Sequence, residues 1–252
     1  MSEPTIIHCV ALTDQGRVRL RNEDCVHADP RSGLVAVADG MGGHNAGDVA
    51  SRLAIESLTS ALTESARLVE AVAEANRKIF VGAQSWPGCE GMGTTLSAAC
   101  FLPPHAQLVV AHVGDSRVYR YRGGDEGGEL TRITRDHTTL QDLLDTGVYS
   151  PDQARRLMPR SYLTRALGIE AETTIDLHTL AVRERDLYLL CTDGLTNMLS
   201  DAELADFFDR LHEGPLFDLA AALIDAANAR GGHDNISVVL ASLKNIRTPR
   251  DA

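Results

Sequence analysis

Along this chain, short unbroken apolar runs trade places with longer stretches in which apolar residues recur at helical spacing. Residues 34–38 are all apolar, the pattern of a strand buried on both faces. Residues 95–101, 106–113 and 117–121 read as successive strands, and the runs at 174–182, 187–191 and 236–243 add three more. Leu53, Ala54, Leu58, Ala61 and Leu62 fall on one helical face, with Asn45 or Asp48 placed to cap the start. A second amphipathic helix is expected over residues 66–84, stopped by Pro87-Gly88, and two more over 201–211 and 215–229. Residues 136–160 differ: two short helical patterns, weakly apolar, punctuated by Pro151 and Pro159. Gly114-Asp115-Ser116 lies between two strand runs and reads as a hairpin tip, with a second turn at residues 123–128. Strands and helices come in blocks instead of alternating strictly, which argues for an α+β fold with mainly antiparallel sheets. No repeat period or Pro/Ser-rich linker breaks the chain, so one domain over residues 1–252 is expected.

The apolar runs share a second feature. Four of them end in or beside an aspartate at a turn: Asp39-Gly40, Gly114-Asp115, Asp193-Gly194 and Asp234-Asn235. One Asp-Gly or Asp-Asn alone is most simply a turn. Strand ends of one sheet system converge, however, and converging carboxylates must share protons or hold cations. Without a comparable cluster of His and Cys, hard oxygen donors favour Mg²⁺ or Mn²⁺ over Zn²⁺. Arg19, Glu23 and Asp24 add a compact group upstream, where an arginine can fork onto phosphate oxygens and adjacent acids can hold water or metal. The bland alternative for residues 17–21 is a solvated basic edge strand.

Composition narrows the field. Lys and Arg number 24 against 35 Asp and Glu, a net charge of −11, which disfavours nucleic acid and anionic lipid as bulk partners. No run approaches the length of a membrane span and the first residues lack a signal-peptide pattern, so a cytoplasmic protein without membrane association is expected. Five cysteines with no C-x-x-C pair argue against a disulfide framework and a structural zinc. Cys25 to Arg31 satisfies the C-x5-R spacing of a cysteine-dependent phosphatase. Asp29 would repel phosphate there, and Pro30 lacks an N–H, so that reading is set aside.

Seven blocks carry a resemblance. Arg19-Leu20-Arg21-Asn22-Glu23-Asp24, Asp39-Gly40-Met41-Gly42-Gly43-His44, Gly91-Met92-Gly93-Thr94-Thr95, Val113-Gly114-Asp115-Ser116-Arg117, Leu163-Thr164-Arg165-Ala166-Leu167-Gly168, Thr192-Asp193-Gly194-Leu195 and Gly231-Gly232-His233-Asp234-Asn235 occur in order over nearly the whole chain. Together they resemble the motifs of the bacterial metal-dependent Ser/Thr protein phosphatases of type 2C. The resemblance implies a four-layer α-β-β-α sandwich of two antiparallel sheets, with residues 136–165 as a helical flap beside the site; a plain surface helical hairpin is the alternative for that segment. It implies two Mn²⁺ or Mg²⁺ ions bridged by Asp39, with the Gly40 carbonyl, Asp193 and Asp234 completing the protein ligands. Glu23 and Asp24 would hold or orient metal waters, Arg19 would bind phosphate, and Asp115 would help hold a third metal. Asn197 stands where some relatives carry a further metal-binding aspartate. His44 is a candidate general acid for the leaving alkoxide, or else merely precedes the helix or hydrogen-bonds a metal water.

The implied activity is hydrolysis of phosphoserine and phosphothreonine in proteins by a metal-activated water, without a phosphoenzyme. A cognate Ser/Thr kinase and its phosphorylated substrates are the implied partners, and a monomer is the default state. A pseudophosphatase that binds phosphoproteins and a small-molecule phosphomonoesterase are the alternatives. The first would normally have lost a carboxylate, and none is missing here.

Overall fold

A computed structural model describes residues 6–42, 46–62, 68–102, 105–124, 127–158 and 162–245. Three strands open the chain: β1 (Ile6–Asp14), β2 (Asp24–Asp29) and β3 (Leu34–Met41). Helices α1 (Gly47–Leu62) and α2 (Leu68–Ser85) follow. The short β4 (Gly93–Thr94) leads into β5 (Leu96–Leu102), β6 (Gln107–Val113), β7 (Arg117–Arg122) and β8 (Glu129–Arg132). Two small helices, α3 (Thr139–Asp145) and α4 (Pro151–Leu157), precede β9 (Asp176–Ala181) and β10 (Asp186–Cys191). The four-residue α5 (Asp193–Thr196), then α6 (Asp201–Leu211), α7 (Leu216–Ala229) and β11 (Ile236–Lys244), complete the described fold.

All strand pairings are antiparallel and fall into two sheets. One runs β1-β11-β10-β7-β8, the other β2-β3-β5-β6-β9 with β4 beside β3. Side-chain alternation then dictates the layers. In β3, Leu34, Ala36 and Ala38 pack against Ala50, Ala54 and Leu58 of α1 and Val72, Ala75 and Ile79 of α2. Val35 and Val37, on the opposite face, join Val118, Tyr188, Leu190 and Val239 of the other sheet. In β10 the opposite faces divide likewise: Leu187, Leu189 and Cys191 meet Leu204 and Phe208 of α6 and Leu219 and Leu223 of α7. Three apolar layers therefore separate helices, sheet, sheet and helices, the expected α-β-β-α sandwich. Central strands covered on both faces must be apolar at every position, which is why residues 34–38 show no alternation.

The elements that differ from expectation do so for local reasons. The 114–116 turn is not a hairpin tip. β6 pairs with β5 and β9 in one sheet, whereas β7 pairs with β10 and β8 in the other. Gly114, at φ +110°, turns the chain across the sandwich, and a Cβ there would lie 2.6 Å from the Thr95 side chain. Residues 17–21 form part of the loop between β1 and β2, not an edge strand. β2 and β8 escaped notice because they run along sheet edges with mixed polarity and no fully buried residue. Asp48 lies inside the first turn of α1, where its charge suits the helix dipole, and Asn45 falls outside the described residues. Within residues 136–158, Ser150 and Gln153 form a capping box that starts α4, with Pro151 in its first turn. No helix among the described residues is long and apolar enough to cross a membrane.

Gly114→Ala should destabilise the fold by about 1–3 kcal/mol, because alanine is strained at that φ and meets Thr95. Urea unfolding monitored by circular dichroism measures it; an unchanged midpoint would mean that the crossing does not need this glycine.

Candidate active site

The two sheets end together in a cleft of about 580 Å³, lined by Arg19, Glu23, Asp39, Gly40, Asp115, Asp193 and Asp234, with residues 162–166 forming part of its wall. Asp24 does not line it. The β2–β3 register sets Asp24 opposite Asp39, inside the sandwich. His44, the candidate general acid, lies outside the described residues.

Local backbone chemistry places each carboxylate. At Asp39 the N–H donates to Thr95 Oγ1 at 3.0 Å, and the carbonyl accepts from Thr95 N–H at 2.9 Å and Thr94 Oγ1 at 2.8 Å. Thr95 Oγ1 in turn lies 2.6 Å from Ser116 Oγ, which links the Asp39 strand to the loop carrying Asp115. The glycines beside the aspartates permit close approach. A Cβ on Gly40 would lie 2.1 Å from the Gly47 carbonyl, and one on Gly194 would lie 2.0 Å from the Asn235 carbonyl. Bare backbone thus lets β3 pack on the start of α1, and α5 on the Asp234 turn.

Asn235 organises the loop between β1 and β2. Its Nδ2 donates to the Gln15 carbonyl at 2.9 Å and the Arg21 carbonyl at 2.8 Å, while its Oδ1 accepts from Glu23 N–H at 2.9 Å. Arg17 N–H donates to the Gly232 carbonyl at 2.7 Å. Arg19 and Glu23 are therefore held against the turn that supplies Asp234. Asp24 is cradled from the other side, accepting from Ser237 Oγ at 2.6 Å and Thr192 Oγ1 at 2.9 Å. Asn235, Ser237, Thr192 and Thr95 were not singled out from sequence as positioning groups; their only signal was proximity to the aspartates at strand ends.

Electrostatically the site is overloaded with negative charge. Burial, followed by repulsion from Asp24, Asp193, Asp115 and Asp234, holds the Asp39 carboxyl well above its usual range. Burial first, then Asp193, pushes Asp115 up to about 7. Asp24 is pushed up to about 7, chiefly by burial, although the Ser237 and Thr192 hydroxyls favour its ionised form. Asp193 is raised by burial and by Asp234, against the pull of the neighbouring Asp39 carboxyl and the Asn197 amide. Carboxylates crowded in this way resist ionising together.

This donor set fits divalent cations. Its atoms are hard oxygens in crowded, desolvated carboxylates, and two of them, Asp24 Oδ1 and Asp193 Oδ1, are buried without a hydrogen-bond partner. Among the described residues no three acidic, His or Cys side chains close around one point. Two of the carboxylates are turned to other partners: Asp234 Oδ2 accepts from Arg19 Nη2 at 2.6 Å, and Asp193 Oδ2 from Asn197 Nδ2 at 3.1 Å. Cys25 offers no competing nucleophile. It sits in β2, burial raises its thiol pKa, and Asp29 accepts the Arg31 N–H at 3.0 Å where a phosphate loop would be needed.

Asn235→Ala would remove three hydrogen bonds that tie the β1–β2 loop to the Asp234 turn and should lower stability by about 1–3 kcal/mol, read by urea unfolding. The metal-free protein should also lose stability as pH rises. Asp24 and Asp115 titrate near 7 in the folded chain against an ordinary 3.8, so the native state binds more protons than the unfolded one over that interval. Their contribution is full below the unfolded value and gone above the folded one. Urea midpoints at about pH 5.5 and about pH 8 check the sign, and saturating Mn²⁺ should offset the fall.

The profile of the protein phosphatase 2C family matches residues 16–216. The serine/threonine phosphatase stp of Listeria welshimeri is 37% identical over 259 residues, covering 98% of this chain and all of that protein. The serine/threonine protein phosphatase PstP of Mycobacterium tuberculosis is 40% identical over 245 residues, covering 94% of this chain and 45% of its own length. Among solved structures, the catalytic domain of serine/threonine protein phosphatase PstP in complex with two manganese ions superimposes with a TM-score of 0.82 at 37% identity, covering 95% of this chain and 99% of that one. Profile, sequence and fold agree with the carboxylate cleft, and the chain belongs to the protein phosphatase 2C family.

Proposed function

We propose that this chain hydrolyses phosphoserine and phosphothreonine in proteins, with two Mn²⁺ or Mg²⁺ ions held by Asp39, the Gly40 carbonyl, Asp193 and Asp234. The observation that carries this reading is the meeting of Asp39, Asp115, Asp193 and Asp234, from four separate chain segments, in one cleft that also holds Arg19. The serine/threonine phosphatase names of its relatives support the substrate class. The two manganese ions named for a structural relative support the metal. The apolar layer shared by the two sheets supports one domain, and the scant burial of α3 and α4 supports residues 136–165 as its flap. A cognate Ser/Thr kinase would supply the substrate. A cytoplasmic setting suits the net charge of −11.

When bound, the two cations would neutralise phosphoryl oxygens and acidify a water toward neutrality. The chain's residues supply the remainder. Asp39 and Asp193, whose carboxyls burial and repulsion hold above their usual range, would be stabilised in the ionised form by that positive charge. Glu23, facing the cleft, offers a carboxylate to bound water, and Asp24 offers its unpartnered Oδ1 from a fixed hydroxyl cradle. Arg19 releases Asp234 and forks onto the phosphate. Its side chain is 52% exposed, so exchanging one anion for another costs little. Asp115 brings a further carboxylate to the cleft for a third cation.

Phosphate release from a phosphothreonine peptide tests this, measured with Mn²⁺, with Mg²⁺ and with EDTA. Turnover should require metal, and Asp39→Asn should reduce kcat by about a thousandfold or more with circular dichroism unchanged. Arg19→Ala should lower kcat/KM about 10–100-fold with little change in metal affinity. EDTA-resistant turnover would overturn the metal mechanism, and tight phosphopeptide binding without turnover would favour a binding module.

A further inference from the structure

The root of the flap is buried, although the helices beyond it are not. Thr134, Asp136, His137 and Thr138 are at most 6% exposed, whereas α3 contains no buried residue and α4 only Ala154. Within that root, all four polar atoms of His137 are engaged. Its main-chain N–H donates to the Gly114 carbonyl at 2.7 Å, and its carbonyl accepts from Thr164 N–H at 2.9 Å. Its ring Nδ1 accepts from Gly114 N–H at 3.0 Å. A backbone amide can only donate, so this bond puts the ring proton on Nε2. Nε2 lies 3.2 Å from Asp176 Oδ2 and 3.2 Å from Arg165 Nη1. Two N–H groups do not bond each other. Asp176 is therefore the common acceptor, taking Nε2–H on Oδ2 and Arg165 Nη1 on Oδ1, the latter at 2.9 Å.

The consequences reach the cleft in two directions. Both main-chain polar atoms of Gly114 are bonded to one residue, and Gly114 immediately precedes Asp115. Through Asp176 the same imidazole orients Arg165, which lines the cleft with Arg19. The His112 ring packs 4.7 Å from the His137 ring, and its Nε2 donates to the Arg135 carbonyl at 3.0 Å, so the flap root is braced from behind. Burial lowers the pKa of both rings, His112 to about 4, which favours a neutral His137 whose Nδ1 can accept.

We propose that His137 is a positioning residue for the phosphatase reaction: opposite roles at its two ring nitrogens fix the backbone that presents Asp115 and the guanidinium of Arg165 in one rigid frame. The proposal rests on the phosphatase reading above. An apolar residue of similar size would fill the space but strand the buried Gly114 amide. A hydroxyl would be too short to bond Gly114 and Asp176 together.

Two near-isosteric variants separate the arms. His137→Asn keeps an acceptor near the Nδ1 position and loses the reach to Asp176; His137→Gln keeps a donor near the Nε2 position and loses the acceptor for Gly114. With a phosphothreonine peptide at saturating Mn²⁺, His137→Gln should lower kcat about tenfold with KM near wild type, through Asp115. His137→Asn should raise KM about tenfold with kcat near wild type, through Arg165. Thermal melts confirm that both variants are folded at the assay temperature. Wild-type kcat and KM in both variants would overturn the proposal, as would equal losses that follow only the folded fraction. Wild-type protein without Mn²⁺-dependent turnover would instead sink the phosphatase reading and the catalytic role with it. The geometry has its own readout in the ¹⁵N spectrum of the metal-free protein: a His137 ring protonated at Nδ1 overturns the proposal whatever the activity.

Discussion

Burial and mutual repulsion hold the Asp39 and Asp193 carboxyls above their usual range, at the point where the ends of two sheets meet. Much of the architecture around the cleft serves that crowded arrangement. Carboxylates buried this deeply repel each other and resist ionisation, so their backbones must be held by forces that do not depend on the carboxylates themselves. The three apolar layers bring the strand ends together. Around the acids, backbone contacts, hydroxyls and one amide then fix the geometry: Thr95 at Asp39, Thr192 and Ser237 at Asp24, Asn235 at the Arg19–Glu23 loop. The fold holds a local electrostatic penalty in place, and bound cations would convert that penalty into affinity.

The sandwich was legible where both faces of a strand are covered, because burial on two sides leaves an unbroken apolar run. Residues 34–38 and 187–191 announce themselves this way. It was illegible at the edges. Asp24–Asp29 alternates poorly, and none of its residues is fully buried. Nor could local pattern tell that β6 and β7 lie in different sheets. A glycine between two strand runs suggests a hairpin, and only the pairing partners reveal a crossing.

At the site, the aspartates were readable because each falls at the end of a strand beside a residue with special backbone latitude. The groups that hold them were not. Asn235 looks like the second half of an Asp-Asn turn, yet it makes three hydrogen bonds to a loop more than 200 residues earlier. Sequence distance hides such partners, since nothing near Asn235 shows what its amide must reach. Glycine roles were only half visible. Gly40 and Gly194 serve close approach between segments, whereas Gly114 is needed for its positive φ as well.

Residues 134–138, the root of the proposed flap, and the helices beyond them differ in how firmly they are held. Helices α3 and α4 bury a single residue between them, so local opening there would expose little apolar surface. The root is different: Asp136 takes a bidentate guanidinium from Arg117, and His137 bonds both polar atoms of Gly114. Moving the root would break several buried hydrogen bonds at once. Displacing α3 and α4 would therefore leave Asp115 where the sheets place it. The proposed flap and the backbone that presents the carboxylates are separated by the depth at which each is buried.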